Sequence, residues 1–187
     1  FAGDYNTGAT VSNTGTVWEH FALTYDGINT FRAYKNGVPT PTPTFTGFSG
    51  SAATGTLQVG EPKGGYPYTG AIDEVRMWSE LRSDAQILAN YNTELTDMTP
   101  CLQVYWKFNQ GYIGANNSAV TSAYDNAYAV NHGGTLTNFA LTGSIGNWVA
   151  GSGITDVVSE YINAPEADLE GSGNGIADGD PSPTPTD

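Results

Sequence analysis

Gly70–Trp78 reads GAIDEVRMW, and Ser79–Tyr91 continues it as SELRSDAQILANY. The first stretch has the brevity and alternation of a strand closed by a tryptophan. Ile72, Val75 and Met77 are its expected core residues. The second stretch changes period. Ser83 stands where an N-cap belongs, with Gln86 three residues later to complete a capping box. Leu81, Ile87, Leu88 and Tyr91 then fall on one apolar stripe of a helix two to three turns long.

Upstream, nearly everything reads as strand and turn. Val17–Gly27, VWEHFALTYDG, alternates Val17, Glu19, Phe21, Leu23 and Tyr25 against Trp18, His20, Ala22 and Thr24. Asp26-Gly27 marks a turn. Thr30–Pro39 is a second strand, and Asn36-Gly37 is the dipeptide of a type I′ hairpin turn. Together they predict a meander. Pro39–Pro43, PTPTP, reads as a stiff extended connector unsuited to a sheet centre. Thr54–Glu61 is a further strand, with Leu57 and Val59 pointing one way.

Downstream, Cys101–Gly111 (CLQVYWKFNQG) is apolar and aromatic almost throughout, the pattern of a strand buried on both faces. Ala115–Asn131 is polar and irregular. Gly133–Gly143 and Asn147–Gly151 are two short strand candidates. After about Ile154 acids, glycine and proline dominate, which places a boundary near 151–162. The opening, FAGDYNTG, reads as the interior of a longer polypeptide, so processing or truncation is expected.

Bulk chemistry narrows the function. The 187 residues carry a net charge of −13 with only six Lys and Arg. Nucleic-acid binding needs a basic stripe, and anionic membrane surfaces repel such a chain. No apolar run is long enough for membrane insertion. The single cysteine, Cys101, excludes an internal disulfide and is expected as a small buried hydrophobe in a strand. His20 and His132 have no recognisable nucleophile motif beside them, and His20 is expected as a satisfied strand residue.

VWEHFALTYDG, RAYKNGV, LQVGE and GAIDEVRMWSELRSDAQI, in that order, resemble the second half of a laminin-G-like or pentraxin-like domain. In that family a Trp-x-His strand leads to a Tyr-Asp-Gly turn. A strand ending in Asn-Gly follows, and the last strand reads Gly-x-Ile-Asp-x-Val-x-x-Trp ahead of a short helix. The likeness covers Trp18–Tyr91. It implies an all-β fold: a concanavalin-type antiparallel β-sandwich (jelly roll) with one short helix after the closing strand. The front strands of such a sandwich have no counterpart here. Either the chain is a fragment, or 101–149 supplies strands and packs onto the domain, with Leu102–Phe108 joining the same sandwich. The expected organisation is a laminin-G-like domain over 1–151, followed over 152–187 by a linker and the start of an immunoglobulin-like domain. Cys101–Val149 and Ala164–Asp187 resemble segments of large secreted bacterial surface proteins, often adhesins exported by the type IX secretion pathway.

That resemblance implies a non-catalytic adhesion or glycan-binding module at the bacterial cell surface. Its partners would be a polysaccharide or glycoprotein surface and neighbouring modules of the same polypeptide. Among the aromatics, Tyr66 and Tyr68 lie in the loop GEPKGGYPYTG and are the best candidates for stacking on a sugar; Trp78, Trp106 and Trp148 are expected in the core. Asp73 and Glu74 are adjacent acids that could hold calcium, which takes several oxygen ligands; the structural alternative is Asp73 accepting backbone N–H bonds with Glu74 solvated. The pentraxin calcium site is not carried over, because Glu61 is the only acid in the loop before this strand. Asp168, Glu170, Ser172, Asn174 and Asp178 have the style of a calcium loop, against a linker or a strand of the next domain.

Two other classes stay open as alternatives: a retaining glycoside hydrolase of the same architecture, and a structural spacer. Glu166, Asp168 and Glu170 imitate the Glu-x-Asp-x-Glu signature of retaining β-glucanases. The stretch follows a proline and runs into Gly-Ser-Gly-Asn-Gly with no aromatic-rich strands beyond it. The expectation is therefore no enzyme.

Overall fold

The computed structural model describes residues 7–10, 17–46, 57–60, 68–95, 99–127 and 132–149. Its elements, in order, are β1 (Phe21–Tyr25), β2 (Phe31–Lys35), β3 (Val38–Phe45), β4 (Val75–Trp78), α1 (Asp84–Asn90), β5 (Leu102–Trp106), β6 (Ser122–Ala123) and β7 (Gly134–Thr135). The class is all-β with antiparallel pairing and one short helix after β4, as the sequence predicts. The chain divides into two compact units, Phe1–Ile72 with Trp78–Thr93, and Asp73–Met77 with Glu94–Asp187.

The first unit holds the meander β1-β2-β3. Phe21 stands opposite Lys35 and Tyr25 opposite Phe31, where the two rings stack at 4.5 Å. Asn36 and Gly37 both have positive φ, 50° and 78°, as a type I′ turn requires. Gly37 is buried beneath the helix. A Cβ there would lie 2.8 Å from Tyr91 and 3.0 Å from the Leu88 backbone, so both conformation and space demand glycine.

The proline run is a strand, not a connector. Val38–Phe45 takes the edge of the sheet, the one place where residues without N–H groups are tolerated. The ladder is broken there. Between the pairs Tyr34↔Pro39 and Arg32↔Thr44, β2 advances by two residues while β3 advances by five. The Thr42 N–H turns to the Thr7 carbonyl at 3.0 Å.

Several boundaries differ from expectation. The strand predicted from Val17 begins at Phe21, and both Val17 and Trp18 are exposed. His20 precedes the strand; its N–H donates to Asn36 Oδ1 and its ring meets Tyr91 edge-on. Leu57–Gly60 bends rather than pairing, with Leu57 and Val59 exposed; the rest of Thr54–Glu61 lies outside the described residues.

The helix starts as predicted. Ser83 Oγ accepts the Gln86 N–H at 3.2 Å and Gln86 Oε1 accepts the Ser83 N–H at 2.8 Å. The four-residue apolar stripe does not hold: Ile87 is buried, but Leu81 and Leu88 are exposed. A helix of 7 residues rests on its neighbour with less than two turns of buried face.

In the second unit β4 pairs with β5, and β6 with β7. Val104, Trp106 and Ala123 form the core cluster, with Val75, Phe108 and Leu136 packed against it. β5 is buried on both faces, as its composition predicts. It is shorter than predicted, because positive φ at Cys101 and Phe108 takes both out of the strand conformation. Cys101 is consequently exposed and outside the strand, not buried within it. Met77, expected in the core, is exposed on β4. β6 comes from the stretch read as irregular, and Gly133–Gly143 contributes only the two residues of β7. Asn147–Val149 forms no strand; Trp148 is half-buried, donates to the Phe108 carbonyl at 2.6 Å and lies flat on Gly111. Residues 150–187, with the candidate acids Glu166, Asp168, Glu170 and Asp178, lie outside the described residues.

Candidate functional site

Tyr68 is exposed, in the first unit, and its ring is held in place. Its hydroxyl donates to the Ala71 carbonyl at 3.1 Å, and the ring passes so close to Gly70 that a Cβ there would meet the hydroxyl at 2.5 Å. An exposed aromatic face fixed by the chain around it needs no ordering to receive a flat apolar surface. Tyr66 lies outside the described residues.

Asp73 and Glu74 belong to the second unit and part company there. Asp73 Oδ1 accepts the Glu74 N–H at 3.0 Å. Glu74 takes positive φ, 55°, and turns its carboxylate onto the Arg76 guanidinium and the Tyr105 hydroxyl, the latter at 2.6 Å. Tyr105 is the most buried large side chain described. Its hydroxyl also accepts the Leu95 N–H at 3.0 Å. Burial pushes its ionisation well above the ordinary phenol value, so it serves as a standing donor to Glu74. Arg76 and Lys107 lie over its ring at 5.1 and 5.2 Å, and Lys107 is paired with buried Glu94 at 2.5 Å. Buried charges need such partners. A calcium ion at Asp73 and Glu74 would compete with Arg76 and Tyr105 for one carboxylate. Among the described residues no group of three or more His, Cys, Asp or Glu side chains is arranged to hold a metal.

A similar clamp sits nearby in the chain. Asp125, its side chain shut from water, accepts N–H groups from Tyr105, Ala127 and His132 at 2.8–2.9 Å, with the His132 ring at 3.4 Å.

The first unit also contains a groove that the sequence reading missed. A cavity of about 540 Å³ opens between the β1–β2 end of the sheet and the start of α1, lined by Asp26, Arg32, Tyr34, Leu81, Arg82 and Ala85 among others. Asp26 Oδ1 accepts the N–H groups of Ile28, Asn29 and Thr30 at 2.8–3.0 Å, while Oδ2 takes none of them. The backbone N–H groups of Thr30 and Ile28 lower its carboxyl to about 2. Asp84 holds Arg32 at 2.9 Å and accepts the Tyr34 hydroxyl at 2.8 Å. Burial, with that bond to Asp84, raises the Tyr34 phenol. Arg32 Nε is buried without a partner among the described residues. Arg82 is paired with Glu80 at 2.5 Å and lies over the Trp78 ring at 4.1 Å. The available signal was sparse charge. Asp26, Arg32, Arg82 and Asp84 cluster at one turn and one helix start in a chain only 13% charged.

Antiparallel strands with a single short helix behind β4 define a concanavalin-like all-β module. Residues 2–88 match the model of a laminin-G-type family described as the concanavalin A-like lectin/glucanases superfamily, so that similarity lies in the first half of the chain. No curated protein and no solved structure matches the chain.

Proposed function

We propose that the chain is a non-catalytic glycan-binding module of a secreted cell-surface protein, engaging a polysaccharide or glycoprotein surface in adhesion. The observation that carries the reading is Tyr68: an exposed ring pinned by its own hydroxyl and by Gly70, within the region similar to a lectin and glucanase superfamily. Tyr66, two residues earlier in the sequence, is the second candidate.

Among the described residues, the acids favour binding over hydrolysis. Glycoside hydrolysis uses a carboxylic acid whose proton is retained near neutral pH, facing a second carboxylate. Asp26 is instead held ionised by backbone N–H groups. Glu74, Glu94 and Asp84 are each bound to a cation.

A glycan array with the whole chain tests the reading, alongside an assay for reducing ends released from the bound polysaccharides. Binding without release, weakened about tenfold by Tyr68→Ala, is the expected result. Released reducing ends would make the chain a hydrolase. No binding to any glycan would leave it a spacer between modules.

A further inference from the structure

We propose that the groove between the β1–β2 end of the sheet and α1 seats an uncharged glycan, held through its hydroxyls by Asp26 and Arg32 and along its C–H face by Leu81 and Ala85. The inference rests on the glycan-binding reading and gives it a second, polar contact site besides Tyr68.

The charge balance of the groove selects the ligand. Two arginines and two aspartates line it. Arg32 is neutralised by Asp84 and Arg82 by Glu80. An anionic sugar would meet the Asp26 carboxylate, which is paired with neither arginine of the groove, on a chain of net charge −13. A hydroxyl suits the site, because it donates and accepts at once. It can donate to Asp26 Oδ2, and it can accept from guanidinium donors that Arg32 does not spend on Asp84.

The polar groups are also fixed before any ligand arrives. Three backbone N–H groups hold the Asp26 carboxylate in one orientation. Asp84 holds the Arg32 guanidinium, which also lies over the Tyr34 ring at 5.7 Å. Preorganised donors and acceptors lose little entropy on binding. Leu81, 58% exposed, adds an apolar side chain to the lining of the groove.

The experiment is calorimetric titration of the whole chain with neutral hexose oligosaccharides and, in parallel, with uronic-acid oligosaccharides. Ala85→Trp fills the groove from an exposed helix position. Asp26→Asn keeps the Oδ1 acceptor that holds the turn and replaces Oδ2 by an NH₂ donor. Tyr68→Ala serves as the control outside the groove. The expected result is binding of a neutral oligosaccharide, weakened tenfold or more by Ala85→Trp and by Asp26→Asn. Full affinity in both groove variants, with loss only in Tyr68→Ala, would overturn the groove and leave the glycan reading standing. Binding of uronic-acid oligosaccharides alone would overturn the ligand class. Failure of the unmodified chain to bind either set would remove both readings. If Ala85→Trp does not fold, Asp26→Asn decides.

Discussion

Tyr105 Oη is the atom on which the second unit's polar interior turns. It donates to Glu74 and accepts from the Leu95 N–H, and Arg76 and Lys107 lie over its ring. Tyr105→Phe would leave a buried N–H and a buried carboxylate each short of one partner. The expected loss is about 1–3 kcal/mol in urea unfolding; an unchanged midpoint would mean that water replaces the hydroxyl. Asp26 supplies a pH signature in the first unit. Its carboxyl is lowered from 3.8 to about 2 in the folded chain. The stability it contributes is therefore complete above the unfolded value of 3.8 and is lost as pH falls from there towards 2. Melting temperature should decline across that window more steeply for the unmodified chain than for Asp26→Asn; parallel declines would refute the assignment. Neither role was legible in the sequence. Tyr105 looked like one more aromatic in an apolar strand, and Asp26 like half of a turn dipeptide. The partners of the Tyr105 hydroxyl, Leu95 and Glu74, lie 10 and 31 residues away and leave no local pattern, whereas the N–H groups on Asp26 lie two to four residues on and were read only as a turn.

Short-range chemistry was legible at the level of the element, and long-range packing was not. The capping box at Ser83 and the Asn36-Gly37 turn depend on neighbours within three residues, and both form as read. Ser83→Ala should cost about 1 kcal/mol, measured by urea unfolding, because one N–H of the first helical turn loses its acceptor; no change would show that solvent caps the helix equally well. The proline run shows the limit of such reading. Its extended backbone follows from the proline ring, whereas its place at a sheet edge follows from β2, which offers a partner only there. Leu57 and Val59 alternate like a strand but have no partner among the described residues. Alternation records a preference for a pleated surface and does not supply the neighbouring strand.

At the scale of the molecule, β4 has a double allegiance. It lies within the stretch similar to the concanavalin A-like superfamily, which reaches residue 88, yet it pairs with β5 from beyond that stretch. Asp73–Met77 accordingly groups with Glu94–Asp187. Of the opening motif GAIDEVRMW only Val75–Trp78 forms the strand ending in tryptophan; 70–74 is irregular, with positive φ at Glu74, and the strand's partner lay outside the resemblance. Its acids are spent locally, which bears on metal. Calcium at millimolar concentration should leave the melting temperature where a chelator leaves it, because Glu74 is already held by Arg76 and Tyr105; a rise with calcium would place a site the described residues do not contain. The most direct test of glycan binding is an amide NMR titration of the whole chain with the neutral oligosaccharide that binds best on the array. Shifts confined to the first unit, at Asp26, Arg32 and Ala85 and at Tyr68, are the predicted result. Shifts only in the second unit, or none at all at saturating sugar, would contradict it.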